Sequence, residues 1–166
     1  ANFHGGTEVV NYPYDGFTGG YPDHHPHPDD DWFKLVSHEY ADTCQAYSPS
    51  SYMNGYEDGT TNGGDWYTVD GGRQDYFTYF GHGREVTIEI SDTKLVSAAA
   101  LPNHWEYNKR SFLNYMEQVL YGLKGTITFE MSFNSPIAKI EVLNHDYDDC
   151  YAFSNSNTGK YQRLLK

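Results

Sequence analysis

The chain has 166 residues and carries 11 Lys and Arg against 23 Asp and Glu, a formal net charge of -12, which repels the phosphate backbone of nucleic acid and anionic membrane surfaces on average. Its length suits one domain with a real core, or one domain plus part of another, and no apolar run approaches the roughly 20 residues that cross a bilayer. Aromatic residues make up 17% of it, with 16 tyrosines, a composition that fits a secreted surface or a polar binding cleft better than a transcription factor.

The sequence begins ANFHGG with neither an initiator Met nor a signal peptide, so position 1 reads as a processed or truncated start. His4 stands beside two glycines, which let a backbone approach a metal or a substrate closely. From Thr7 to Tyr14 the loose alternation around Val9, Val10 and Tyr12 predicts a short strand. The Gly-, Pro- and His-rich stretch GFTGGYPDHHPHPDD then predicts a loop. Its histidines His24, His25 and His27 lie along a Pro-broken segment without fixed geometry and imply adventitious metal binding at most.

Acidic residues at 29–31 and the spacing of Trp32, Phe33, Val36 and Tyr40 predict a helix over Asp30 to Ala46, its N-terminal dipole favoured by the aspartates. SPSSYMNGYEDGTTNGGDW reads as a second polar loop, which holds only if it packs over something. In REVTIEI, residues Val86, Ile88 and Ile90 share one strand face, while Glu85, Thr87 and Glu89 share the other. That other face is chemistry or solvent. Glu89, flanked by two isoleucines, either faces water or serves as a desolvated base. The one His-x-x-Glu spacing, His82 to Glu85, lies in a loop entering this strand and reads as coincidence.

From Pro102 to about Gly122 the placing of Phe112, Met116, Val119 and Leu120 predicts a second long helix with that stripe turned inward. Past Gly125, the segments TITFEM, IAKIEVLN, CYAFSN and KYQRLL read as strands of a small sandwich, with a domain boundary at Lys124. Four strands are too few to close it without an exposed edge. Cys44 and Cys150 allow one disulfide or none.

The stretches NFHGGTEVVNYPYD, PDDDWFKLVSHEYA, TNGGDWYTVDGGRQDY, REVTIEIS and LPNHWEYNKRSFLNYMEQVLYGLKGTI, in this order, resemble the zinc metallocarboxypeptidases, in particular the regulatory (N/E-like) subfamily in its Bacteroidetes form. The tail is similar to the start of the transthyretin-like domain that follows the catalytic domain there. The resemblance implies an α/β fold: a partial mixed-sheet carboxypeptidase domain over 1–123, the second half of the catalytic domain, followed by a truncated β-sandwich over 124–166. It implies zinc as cofactor, with His4 matching the third zinc ligand and Glu89 the general base. Asp15 and Gln74 match positions lining the pocket for the substrate's last side chain, where an acid favours Lys or Arg. Tyr67 matches the mobile tyrosine that closes over the peptide. The family's other two zinc ligands and its carboxylate-gripping arginine lie upstream of these motifs, so the missing N-terminal half of the catalytic domain is an expected partner, and the isolated chain is expected to be inactive.

The expected function is release of C-terminal basic residues from peptide or protein C-termini by a secreted, periplasmic or cell-surface zinc exopeptidase. The alternative is a non-catalytic pseudo-peptidase or peptide-binding module of an extracellular assembly. A sugar-binding sandwich protein rests only on the aromatics and the tail.

Overall fold

Short β-rich segments far apart in sequence assemble into one mixed sheet, seen in a computed structural model that describes residues 1–16, 24–131 and 135–166. Strands β1 (Asn2–His4), β2 (Glu8–Tyr12), β3 (Thr60–Asn62) and β4 (Thr87–Ile90) lie in the order β1-β4-β2-β3. β1 runs parallel to β4, β2 antiparallel to β4, and β3 parallel to β2. Because side chains alternate across a strand, one face presents Val10, Tyr12, Val86 and Ile88 to the hydrophobic core. The opposite face presents His4, Thr87, Glu89, Val9 and Asn11.

Helix α1 spans Asp30–Ala46 as its periodicity predicts, burying Trp32, Phe33, Val36, Tyr40, Ala41 and Cys44. The predicted polar loop after it contains β3 and the short helix α2 (Gly63–Trp66), and it packs over the core through the buried Tyr52 and Met53. Three β-residues between polar neighbours give too short an alternation to be read as a strand. A further helix, α3, covers Arg73–Tyr79.

The second long helix, α4, spans Leu101–Glu117 and ends in a 3-10 turn at Gln118–Leu120. Its inward face corrects the expectation. Met116, Val119 and Leu120 are each more than half exposed, while the buried positions are Asn108 and Ser111. The reason is a polar seam against α1: the Tyr40 hydroxyl donates to Asn108 Oδ1 at 2.8 Å, Asn108 Nδ2 donates to the Tyr52 hydroxyl oxygen at 2.7 Å, and Ser111 Oγ donates to the Tyr40 carbonyl at 2.8 Å. Buried polar groups that satisfy one another can occupy an interface that composition assigns to apolar residues.

The C-terminal segment forms β5 (Leu123–Thr126), β6 (Lys139–Ile140), β7 (Ala152–Phe153) and β8 (Lys160–Arg163). Among the described residues these pair as two separate two-stranded ribbons, β5 with β8 and β6 with β7. The segment is fastened to the first part by a buried ionic cluster. Arg163, 1% exposed, donates to both oxygens of Asp29 at 2.6 and 2.8 Å and to Asp146 Oδ1 at 2.6 Å, and Arg84 Nε donates to Asp29 Oδ2 at 2.6 Å.

The ionic cluster corrects two expectations. Asp29 makes no side-chain cap to α1, because its carboxylate is committed to the guanidinium groups. His27 has a fixed place: it is 1% exposed, its Nδ1 accepts the Asp29 N–H at 2.8 Å, and its ring lies 5.5 Å from that of Tyr14. Burial, with the Arg84 charge, depresses its pKa to about 3. Both Cys44 and Cys150 are free, buried thiols. Residues 17–23 of the predicted Gly/Pro/His loop lie outside the described residues. Among the described residues, no helix is long and apolar enough to cross a membrane.

Candidate active site

The parallel pairing of β1 with β4 places the Cα of His4 opposite that of Glu89, and the antiparallel pairing of β2 places Val9 on the other side of Glu89. Directly paired residues face the same side of a sheet. His4 Nδ1 accordingly lies 3.3 Å from Glu89 Oε2, although 85 positions separate them. The imidazole is half-exposed, with a side-chain accessibility of 51%, while the Glu89 side chain is 7% accessible. The Thr7 N–H donates to Glu89 Oε2 at 3.2 Å, so one backbone donor supports the buried carboxylate.

The two glycines after His4 have a steric reason. Gly6 sits at φ +152, and a Cβ there would come within 2.8 Å of Glu89 Oε2; a Cβ on Gly5 would meet Ser91 Oγ and the Thr93 carbonyl at 2.4 Å. Around this pair lies a cleft of about 480 Å³ lined by His4, Gly5, Gly6, Thr7, Trp66, Tyr67, Glu89 and Lys94. Tyr67 is 47% exposed, with its ring 4.7 Å from that of Trp66. Partial burial and the nearby charges of Glu89 and Asp15 hold its phenol above the ordinary range.

Asp15 and Gln74 come together one step along the sheet. Asn11, paired with Thr87 on β4, donates from Nδ2 to Asp15 Oδ1 at 2.8 Å, and Gln74 Nε2 donates to the same oxygen at 3.0 Å. The two amides leave Asn11 Oδ1 and Gln74 Oε1 buried and, among the described residues, without a hydrogen-bond partner. Asp75 was not singled out from the sequence. It accepts from the Asp15 N–H at 3.1 Å and from the Gly16 N–H at 2.9 Å. Burial and the Asp75 charge push Asp15 up to about 7, against the hydrogen bond from Asn11 that lowers it. A Cβ on Gly63 would fall 1.7 Å from Asp15 Oδ1, so only glycine lets β3 and α2 approach the carboxylate this closely.

The result is a buried cluster rich in acceptors and poor in donors. Unpaired buried acceptors cost roughly 1–3 kcal/mol each, and a ligand with several N–H donors recovers that cost. Asn11 was legible in principle as an amide within an apolar strand, and Asp75 as the acid directly following Gln74.

His82 and Glu85 diverge. His82 stacks on Tyr151 with ring centroids 4.4 Å apart, while Glu85 Oε1 accepts from Arg73 Nε at 2.7 Å and from Asn2 Nδ2 at 3.2 Å. Groups of three potential metal donors among the described residues centre on Asp29, with His27 and Cys150 or with His145 and Asp146, and there Arg84 and Arg163 already neutralise the carboxylate. At the cleft, His4 is the one imidazole among the lining residues. A catalytic zinc takes three protein ligands and one open position, so two donors beyond His4 are needed there.

The zinc carboxypeptidase family profile matches residues 1–111, and the chain belongs to that family, whose metal is zinc. It is 36% identical over 168 residues to carboxypeptidase D of Drosophila melanogaster, covering 99% of this chain and 12% of that protein. It is 34% identical over 177 residues to the carboxypeptidase N catalytic chain of Mus musculus, and 32% identical over 171 residues to carboxypeptidase M of Mus musculus, again over 99% of this chain and over 37% and 38% of those proteins. The chain thus spans about an eighth of the carboxypeptidase D relative and well under half of the other two.

Proposed function

We propose that this chain forms part of a zinc-dependent carboxypeptidase that releases C-terminal Lys or Arg from peptides and proteins outside the cell or in the periplasm. The observation that supports the basic specificity is the buried acceptor cluster: Asp15 with two buried amide oxygens, Asn11 Oδ1 and Gln74 Oε1, that lack donors among the described residues. An ammonium or guanidinium group supplies three to five N–H donors and no acceptor, and pairs with the carboxylate by charge-assisted hydrogen bonds.

His4 would contribute one imidazole to the metal, the remaining protein ligands coming from sequence outside these residues. Zinc, when bound, supplies Lewis-acid polarisation of the scissile carbonyl and acidifies a water. Glu89, 3.3 Å from His4 Nδ1, would accept a proton from the attacking water and return it to the leaving amine. The Thr7 N–H holds the carboxylate in place meanwhile. Tyr67, half-exposed in the lining of the cleft that holds Glu89, closes over the bound terminus and excludes water. Residues 1–123 belong to the catalytic domain in this reading, and 124–166 to a transthyretin-like sandwich docked through Arg163.

The test is hydrolysis by the full-length protein of matched peptides ending in Arg, Lys or Leu, with and without a chelator. Release of Arg and Lys far above Leu, abolished by chelation and restored by zinc, is the expected result. Equal release of Leu would remove the specificity assignment. Retention of tight binding to Arg-ended peptides with no hydrolysis in the zinc-loaded protein would favour a peptide-binding pseudo-peptidase.

A further inference from the structure

Lys94 is a cleft residue for which neither the metal nor the Asp15 acceptor cluster has a use. The lysines that form ion pairs among the described residues are Lys34, Lys109 and Lys139, whereas Lys94 lines the cleft with its side chain exposed. A Cβ on Gly6 would lie 3.9 Å from both Lys94 Cγ and Lys94 Cε and 2.8 Å from Glu89 Oε2. The lysine stem therefore packs beside Gly6, in the same turn that borders Glu89.

The sheet fixes which end of the cleft this is. Glu89 pairs with Val9, and Thr87 with Asn11. Since β2 is antiparallel to β4, the chain leaving β2 toward Asp15 travels to the N-terminal end of β4, while the chain leaving β4 toward Lys94 travels beyond its C-terminal end. Asp15 and Lys94 thus lie on opposite sides of the His4–Glu89 row. A peptide whose last side chain reaches Asp15, and whose final peptide bond lies at Glu89, directs its preceding residues toward Lys94.

We infer that Lys94 is a specificity-determining residue that recognises acidic side chains immediately before the scissile bond, so that the preferred substrates end in an acidic residue followed by a basic one. The inference rests on the peptidase reading above. In a chain of net charge -12, an acidic residue entering the cleft meets repulsion unless a local cation offsets it, and Lys94 is the cation lining this end of the cleft. The ammonium is solvated, so the discrimination is modest and weakens with salt.

The experiment compares kcat/KM for matched peptides ending Glu-Arg, Gln-Arg and Lys-Arg, using the zinc-loaded full-length protein, its Lys94→Gln variant and its Lys94→Glu variant, at low and at physiological ionic strength. The wild type is expected to prefer Glu-Arg over Gln-Arg by about two- to five-fold at low salt. Lys94→Gln should bring the ratio to about one, Lys94→Glu should favour Lys-Arg, and Gln-Arg turnover should stay nearly constant throughout. Cleavage of all three peptides with ratios unchanged by either substitution would overturn the role of Lys94 alone. Cleavage of none by the wild type would overturn the peptidase reading and this inference together.

Discussion

Replacing Asp15 by Asn should stabilise the fold while damaging recognition. Asp15 is 6% exposed, and its folded-state pKa of about 7 stands well above the ordinary 3.8 because of burial first and the Asp75 charge second. Between those two values the folded chain retains a proton that the unfolded chain has lost. Stability therefore falls as pH rises through that window, by up to 1.36 kcal/mol per pH unit for one such group. The whole penalty is of order 4 kcal/mol above pH 7, and about 2–3 kcal/mol of it accrues between pH 5 and pH 8. Asparagine preserves an Oδ1 that accepts from Asn11 and Gln74, so the two native hydrogen bonds survive and only the ionisation is lost. Urea unfolding of both proteins at pH 5 and pH 8 should show the variant gaining on the wild type by about 2–3 kcal/mol over that interval. Activity on Arg-ended peptides should fall roughly 10- to 100-fold, the scale of a lost charged hydrogen bond, with neutral termini little affected. Stability curves that run parallel from pH 5 to pH 8 would refute the argument that Asp15 is held in a desolvated, acid-crowded site.

Glu89→Gln should lower kcat by about 10²-fold or more, as expected for loss of a general base, while zinc content measured by elemental analysis stays unchanged; retained turnover would place the base elsewhere. Gly6→Ala forces a side chain to within 2.8 Å of Glu89 Oε2, so hydrolysis should drop sharply with a stability loss of only about 1–2 kcal/mol, and activity equal to wild type would show that the carboxylate position is not critical. Arg163→Ala removes the guanidinium shared by Asp29 and Asp146 in a buried cluster, leaving Asp29 to Arg84 and Asp146 to His145 and the Val142 N–H, and should cost about 3–5 kcal/mol in chemical unfolding. The double variant with Asp146→Ala should cost less than the sum, a non-additivity absent if the two groups do not interact.

Local pattern carried much of the fold. The helix over Asp30–Ala46 matches its predicted ends because Trp32, Phe33, Val36 and Tyr40 repeat at the helical period. The face of α4 was illegible because an amide and a hydroxyl, Asn108 and Ser111, complete hydrogen bonds to Tyr40 and Tyr52 from distant segments, and periodicity counts only apolar residues. The acids before α1 illustrate the same limit. Their place at a helix N-terminus suggests capping, whereas Asp29 is taken by Arg84 and Arg163, the latter 134 positions away.

The candidate site divides in the same way. His4, Asp15, Tyr67, Gln74 and Glu89 are named through motif resemblance, and the fold sets His4 against Glu89, Gln74 against Asp15, and Tyr67 in the lining of the His4–Glu89 cleft. The pairing of β1 with β4 that sets His4 against Glu89 is a long-range register, which no local window contains. Asn11 and Asp75 became visible only with the hydrogen bonds they make to Asp15.

The most direct test of the account is a crystal structure of the zinc-loaded full-length protein with free arginine bound. The account predicts the guanidinium within hydrogen-bonding distance of the Asp15 carboxylate and Gln74 Oε1, with His4 on the metal and Glu89 beside it. A guanidinium seated elsewhere, with Asn11 Oδ1 and Gln74 Oε1 still lacking donors, would contradict it.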